Sequence, residues 1–543
     1  FCIQNTLVNT KGRQSMKNRS VMQHQFSRVP QANIPRSVFN RSHGYKSAFD
    51  SGLLIPVLCD EALPGDTFTV DGSFFARLST PTVPIMDNMT LSVFYFAVPL
   101  RLIWDNFIYF MGEKVNPDDT TTYTVPQVVS SSSTGFVVGS LFDYFGLPTG
   151  VQDLSVSAFW SRAYNLIYNQ WFRAEQLIDS VVVDKDNGAD DPADYVLLRR
   201  GKRHDYFTSC LPWPQAGDAV SLPLGDTAPV EGIGKFNTVW GETNTTNYQT
   251  DGTTGVVYPS SVNIGTNNNE IFRVREDADN VGYPDIRVNL NDATAATISD
   301  LREAFQLQRM LEKEARGGQR YTELVRSHFG VVSPDSRLQR AEYLGGSVSP
   351  VHITPVPQTS VSATTPQGHL AAFGTVADSR TGFSKSFTEH CIILGLVCVD
   401  ADLTYQQGLP RMFSRLTKYD FYWPSLAHLS EQPVYNREIY CTAGVDDAKI
   451  FGYQERYGEY RYFPSQITSK LRSTYATSLD VWHLSQEFAS LPELGKDFIE
   501  SNPPLARCVA VNTEPQFIFD AYFNMKCVRP MPTFGVPGLI DHF

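Results

Sequence analysis

No stretch of this sequence is long and apolar enough to cross a bilayer as a helix. The longest apolar runs, residues 391–399 and 91–100, fall well short of the ~18 residues a spanning helix needs. Residues 1–30 are polar and lack the apolar core of a signal peptide. The expectation is a soluble protein with no secretion route and no membrane insertion. The eight cysteines are scattered with no C-x-x-C pair, so they read as buried free thiols of a reducing compartment rather than a zinc or disulfide framework. No segment is dominated by Ala, Glu, Lys and Leu, and no fixed-period repeat is visible, which argues against coiled coils and solenoids. Catalytic patterns are missing too: there is no G-x-x-x-x-G-K-[ST], G-x-S-x-G or H-E-x-x-H. Gly232, Gly234 and Lys235 lack the rest of a phosphate loop and read as a turn.

Aromatic residues are abundant. They make up 12% of the 543 residues, with 35 Phe and 25 Tyr, a bias that suits strands. Hydrophobic residues at 42% and charged residues at 19% exclude disorder for most of the chain. The length suggests three or four units of about 150 residues, unless an all-β domain carries long insertions.

Between residues 53 and 100 the pattern is β. LLIPVLC is a short apolar run, DTFTVDGSFFARL alternates around Phe68, Val70 and Phe74, and TLSVFYFAVPL is aromatic and β-branched. Strand-like runs return at 351–353, 387–399 and 516–528. Short strands punctuated by Gly and Pro argue for a sandwich or barrel. Two segments read as helices. Residues 157–180 repeat apolar side chains near the 3.6 period. Residues 299–316 have Ser299 as N-cap, Leu301, Ala304, Phe305 and Leu311 on one face, and Gly317–Gly318 as a stop.

Charge is distributed unevenly. Residues 1–50 carry eight bases and one acid, whereas the rest of the chain carries 37 bases and 56 acids. Residues 1–48 therefore read as an extended basic arm, with Pro30 and Pro35 opposing helix and the compact body starting near Phe49. Lys17, Arg19, Arg28, Arg36, Arg41 and Lys46 could neutralise phosphates, or lie on acidic patches of a neighbouring subunit. Residues 1–15 precede Met16, which reads as the natural start, and carry no assigned role. A second basic run, Arg199, Arg200, Lys202, Arg203 and His204, is followed by Tyr206, Phe207 and Trp213. Cations beside rings suit single-stranded nucleic acid, but a segment tying an insertion to the body is the favoured reading. Asp184, Asp186, Asp190, Asp191 and Asp194 supply oxygen ligands of the type calcium takes, yet not at EF-hand spacing, so a solvated loop is expected and no cofactor is predicted.

The chain divides into the arm at 1–48, a first body segment with a helical insertion at 49–216, a surface insertion at 217–291, and the rest of the body at 292–543 with an extended C-terminal tail. The surface insertion is rich in Thr, Asn and Gly, with ten acids and four bases. Aromatic-rich segments at 419–423 (YDFYW) and 453–463 (YQERYGEYRYF) read either as core or as contacts between subunits.

Three blocks carry a resemblance. They are HQFSRVPQANIPRSVFNRSHGYKSAFDSGLLIPVLCDEALPGDTF, RRGKRHDYFTSCLPWPQ, and FQLQRMLEKEARGGQRYTELVRSHFGVVSPDSRLQRAEYLGG. From about residue 16 to 543 the sequence resembles the major capsid proteins of gokushoviruses, small icosahedral single-stranded DNA phages of the microvirus family. The resemblance implies a mainly β fold, an eight-stranded antiparallel jelly roll with large inter-strand insertions holding some helices and loops. It also implies a T=1 shell of sixty copies around circular single-stranded DNA, assembled in the host bacterial cytoplasm. A small basic DNA-packaging protein, a minor pilot protein and a host cell-surface receptor would be partners. Residues 217–291 would project at the threefold axes, with Trp240, Tyr248 and Tyr258 as host-contact candidates. The alternative reading is a carbohydrate-binding or carbohydrate-active jelly-roll protein.

Overall fold

The computed structural model describes residues 34–221 and 298–535, with a few short stretches between 230 and 288. Among the described residues, ten strands build two antiparallel sheets. In chain order they are β1 (Ser37–Asn40), β2 (His43–Phe49), β3 (Ile55–Ala62), β4 (Thr67–Leu78), β5 (Met89–Pro99), β6 (Glu342–Pro350), β7 (His352–Pro357), β8 (Leu370–Ser386), β9 (Cys391–Ala401) and β10 (Phe517–Arg529). One sheet has four strands in the order β6-β5-β9-β3. In the other, β1 and β2 both pair with β10, which is followed by β4, β8 and β7. The chain repeatedly crosses from one sheet to the other, as a jelly roll requires. The fold is mainly β, with ten strands in the sheets where the resemblance implied eight.

The inner face of the six-stranded sheet is aromatic. In β10 burial alternates strictly, with Phe517, Phe519, Ala521, Phe523 and Met525 inward. Phe74 of β4 stacks on Phe519 at 5.8 Å and meets Phe523 edge-on at 5.7 Å, while Phe49 of β2 stacks on Phe517 at 6.1 Å. Full burial of each ring contributes about 1.5–3 kcal/mol. These rings share one core with Val57, Val93, Ile393 and Val397 of the four-stranded sheet.

Strand β9 is buried at every position because both of its faces are covered. Ile393, Val397 and Val399 face the core between the sheets, whereas Ile392, Leu394, Leu396 and Cys398 face a second core. That second core is closed by helix α1 (Phe159–Ile167) and the surrounding insertion. A strand covered on both sides reads as a continuous apolar run, and one with an open face alternates.

Several expectations change. The helix expected over 157–180 is shorter: α1 stops at Ile167, a wider turn follows at Tyr168–Phe172, and Arg173 is extended. Asn165 donates to the carbonyl of Val182, and Asn169 bonds both backbone groups of Val181, so the chain is drawn back along the helix. The second helix, α2 (Ile298–Gly317), matches the expected 299–316 and starts one residue before Ser299. Its apolar face is mostly exposed at Leu301 and Phe305, and only Ala315 is buried. A further helix, α3 (Tyr321–Phe329), ends at Gly330 in the left-handed conformation.

The compact body begins before Phe49, because β1 and β2 are hydrogen-bonded into the sheet. The expected turn at Gly232, Gly234 and Lys235 is instead partly strand: Ile233–Lys235 pairs with Phe272–Val274, next to a second pairing of Val230–Glu231 with Arg287–Val288. Of the cysteines, Cys210, Cys391, Cys398, Cys508 and Cys527 are buried free thiols, Cys59 is half-buried and Cys441 is exposed. Cys2 lies outside the described residues.

Candidate assembly and nucleic-acid surfaces

The second basic run forms a tie across the body. Its backbone bonds Gly52 on one side and Ile499 and Ser501 on the other, and Leu198 just before it accepts from the Leu54 N–H. Arg199 donates to the carbonyls of Ser51 and Ser501 at 3.2 and 3.1 Å. Arg200 reaches Asp400 at 3.0 Å and Ser92 at 3.2 Å, and lies 5.2 Å from the Phe94 ring centre. Lys202 donates to the Phe498 carbonyl and to Gln486, and desolvation pulls its pKa down to about 8. These three cations are spent on partners within the chain. Arg203 is more open, pairing with Asp402 at 3.5 Å and with the Thr90 hydroxyl. His204 is exposed.

Of the arm residues, Arg36, Arg41 and Lys46 are described, whereas Lys17, Arg19 and Arg28 lie outside the described residues. Arg36 is exposed at the foot of β1. Arg41 pairs with Asp60 at 2.7 Å, and Lys46 pairs with Asp520 at 2.6 Å on the surface. Burial still holds the Asp60 carboxyl above its usual range, opposed by the Arg41 charge. The three residues border the six-stranded sheet, far along the chain from the basic run at 199–203.

The aspartate loop is divided by its contacts. Asp190 is buried and gripped by Arg162, while Asp184, Asp186 and Asp191 accept bonds from nearby backbone N–H groups. Among the described residues no group of three or more His, Cys, Asp or Glu side chains is arranged to hold a metal ion.

Parts of the two aromatic segments come together into one exposed surface, whereas Tyr457 is buried and Tyr453 packs half-buried beside Leu211. Tyr419, Phe421, Tyr422 and Trp423 are exposed, beside Tyr460, Tyr462 and Phe463. Phe413 and Leu416, which the sequence reading missed, are 70% and 90% exposed next to them. Irregular backbone gives no periodic signal, so these two carried no mark in the sequence.

Tyr422 meets Tyr457 edge-on at 5.2 Å and Tyr460 at 6.2 Å. Arg415 lies 4.4 Å from the Tyr460 ring centre and 5.4 Å from that of Phe421. Below, Arg411 pairs with buried Glu438 at 3.0 Å, and Glu438 accepts from the Tyr206 hydroxyl at 3.0 Å. Burial raises the pKa of Glu438 against the pull of Arg411. A cavity of about 210 Å³ opens between these arginines and Tyr462 and Phe463. The rings are thus held from beneath by buried ion pairs and present a pre-shaped apolar surface. Contiguous exposed apolar patches of this kind mark interaction sites.

Comparison with known families then shows that residues 27–539 match the capsid protein (F protein) family. The chain belongs to this family. A capsid protein VP1 of Bdellovibrio phage phiMH2K is 45% identical over 537 residues, covering 96% of this chain and 98% of the relative. Those of Chlamydia phage 1 and Spiroplasma virus 4 are 42% and 35% identical, with 97% of this chain and 99% of each relative covered. This capsid protein is a structural component of a phage virion and not an enzyme, so the carbohydrate-active alternative falls. No helix among the described residues is long and apolar enough to cross a membrane. The aromatic surface and the tied basic run are therefore parts of a subunit built to meet other subunits.

Proposed function

We propose that sixty copies of this capsid protein close into a T=1 icosahedral shell around a circular single-stranded DNA genome. The exposed aromatic surface of residues 413–423 and 460–463 carries this reading, because an isolated soluble chain has no use for so many open rings. Seated on a neighbouring copy, it supplies the kind of central aromatic anchor that dominates interfaces. Repeated heterologous contacts of this type close into rings around symmetry axes.

The basic arm, with Lys17, Arg19, Arg28, Arg36, Arg41 and Lys46, contacts the genome. Arg199, Arg200 and Lys202 serve the fold of the subunit, and Arg203 keeps a charge near the surface. The acidic remainder of the chain wraps DNA poorly, so a small basic packaging protein supplies most of the neutralisation, beside a minor pilot protein. Residues 217–291, with Trp240, Tyr248 and Tyr258, reach the host receptor. Those three side chains lie outside the described residues.

Electron cryomicroscopy of the purified assembly tests this reading. The expected image is a spherical shell of sixty copies with DNA inside. Sedimentation as a single 60.8 kDa species under assembly conditions would overturn it.

A further inference from the structure

The two sheets differ in how their outer faces are dressed. The four-stranded sheet is covered by α1 and its insertion. In the six-stranded sheet, the outward positions of the two central strands stay open. Along β4 these are Thr69, Ser73, Phe75 and Arg77, and along β10 they include Tyr522, Asn524 and Lys526. Polar outward positions are ordinary for an antiparallel sheet with one wet face. Two large rings among them are not: Phe75 is 49% exposed and Tyr522 is 54% exposed.

The register shows how these groups are grouped. Ser73 lies opposite Tyr522, and Phe75 lies opposite Asp520. Phe75 and Tyr522 are therefore diagonal neighbours on one face, ~7–8 Å apart at the backbone. Arg77 stands one step beyond Phe75 on the same side, and Lys526 lies further along, opposite Thr69.

Charge on this surface runs against the rest of the molecule. Lys46, Arg77 and Lys526 point outward from the strands, and Arg380 is exposed at the bulge of β8. Asp520, which pairs with Lys46, and half-buried Asp71 oppose them. After residue 50 acids outnumber bases by 56 to 37, yet here cations exceed acids. The basic arm also joins the molecule at this sheet, through β1 and β2.

We propose that the open face of the six-stranded sheet is the DNA-contacting surface of the capsid protein. Bases of the single strand stack on Phe75 and Tyr522, and phosphates lie against Arg77 and Lys526. Stacking platforms set among cations bind single strands with little regard to sequence, because every base has a π face. A protein that must cover a whole genome needs that tolerance. The proposal rests on the reading that the shell holds single-stranded DNA.

The test begins with DNA-filled wild-type particles, irradiated with short-wave ultraviolet light, digested, and searched by mass spectrometry for peptides that carry nucleotides. Adducts on the peptides holding Phe75 and Tyr522 are expected. Adducts confined to other peptides would overturn this assignment and leave the shell reading intact, whereas particles without DNA would overturn both. An amine crosslink from Lys526 to another protein in most copies would also overturn it, since a protein would then occupy the face. A second arm uses the full chain carrying Phe75→Ala and Tyr522→Ala, both at exposed positions. Its binding to oligothymidylate should weaken about tenfold or more, because both stacking platforms are lost. Unchanged binding overturns the proposal. If that variant fails to fold, the wild-type adduct map decides.

Discussion

Arg162 and Asp190 form a two-point ion pair sealed inside the protein, with Nε to Oδ2 at 2.8 Å and Nη2 to Oδ1 at 2.5 Å. Arg162 also donates to the carbonyls of Ile103 and Asp186, and the Tyr195 hydroxyl donates to Asp190. The pair fastens the aspartate loop to α1 and so closes the second core.

Asp190→Ala should therefore cost about 3–5 kcal/mol, because it leaves a buried guanidinium without its carboxylate. Replacing both partners by Arg162→Met and Asp190→Leu should recover much of that loss. Urea denaturation of the unassembled chain measures both. A loss below about 1 kcal/mol for Asp190→Ala would show that the loop is not held by this pair.

Lys202 makes a pH prediction. Its folded pKa is about 8, while an exposed lysine titrates near 10.4. Between these values the unfolded chain binds more protons than the folded one, so this lysine makes stability rise with pH from about 8 to about 10.4. Below pH 8 both states are charged, and the burial cost is constant. Thermal denaturation of wild type and Lys202→Met across this range should show the wild type gaining relative to the variant. Parallel curves would refute it.

Gly382 sits just past the bulge of β8, where β8 pairs with β4. A Cβ there would lie 1.8 Å from the carbonyl oxygen of Val70. Gly382→Ala should force β8 and β4 apart and cost about 3 kcal/mol, the upper end of overpacking penalties. A denaturation midpoint equal to wild type would show that the strands shift freely.

The arm should respond to deletion in two steps. Removing residues 16–33 leaves β1 and β2 in place, so shells should form. DNA retention should then depend less steeply on salt, by about 2 in slope for the three lost bases at ~0.7 each. Removing residues 16–46 also strips β1 and most of β2 from β10, and should abolish soluble assembly. Salt titration of DNA release and sedimentation of the particles test the two steps. Equal behaviour of both deletions would contradict the sheet pairing.

The insertion offers a clean place to cut. The ladder between Ile233–Lys235 and Phe272–Val274 ends with Lys235 opposite Phe272. Replacing residues 236–271 by a tight turn, which removes Trp240, Tyr248 and Tyr258, should spare particle formation and impair attachment to host cells. Failure of the shortened chain to fold would mean that the segment belongs to the core.

Residue order alone determined the β class, the central strands, helix α2, the charge asymmetry and the likeness to phage capsid proteins. Alternation along 517–529 and the apolar run at 391–399 are local patterns, set by whether one face or two is buried. The 17-residue strand β8 gave no such signal, because its bulge interrupts the alternation and Ser, Thr and Gly fill much of it. The basic run at 199–203 looked like a place for phosphate. Only the folded chain decided its role, because Asp400 and the carbonyls of Ser51, Phe498 and Ser501 arrive from distant parts of the sequence to meet it. The same holds for Phe75 and Tyr522. Each looks like an ordinary strand ring, and strand pairing across more than 400 residues is what sets them side by side on an open face.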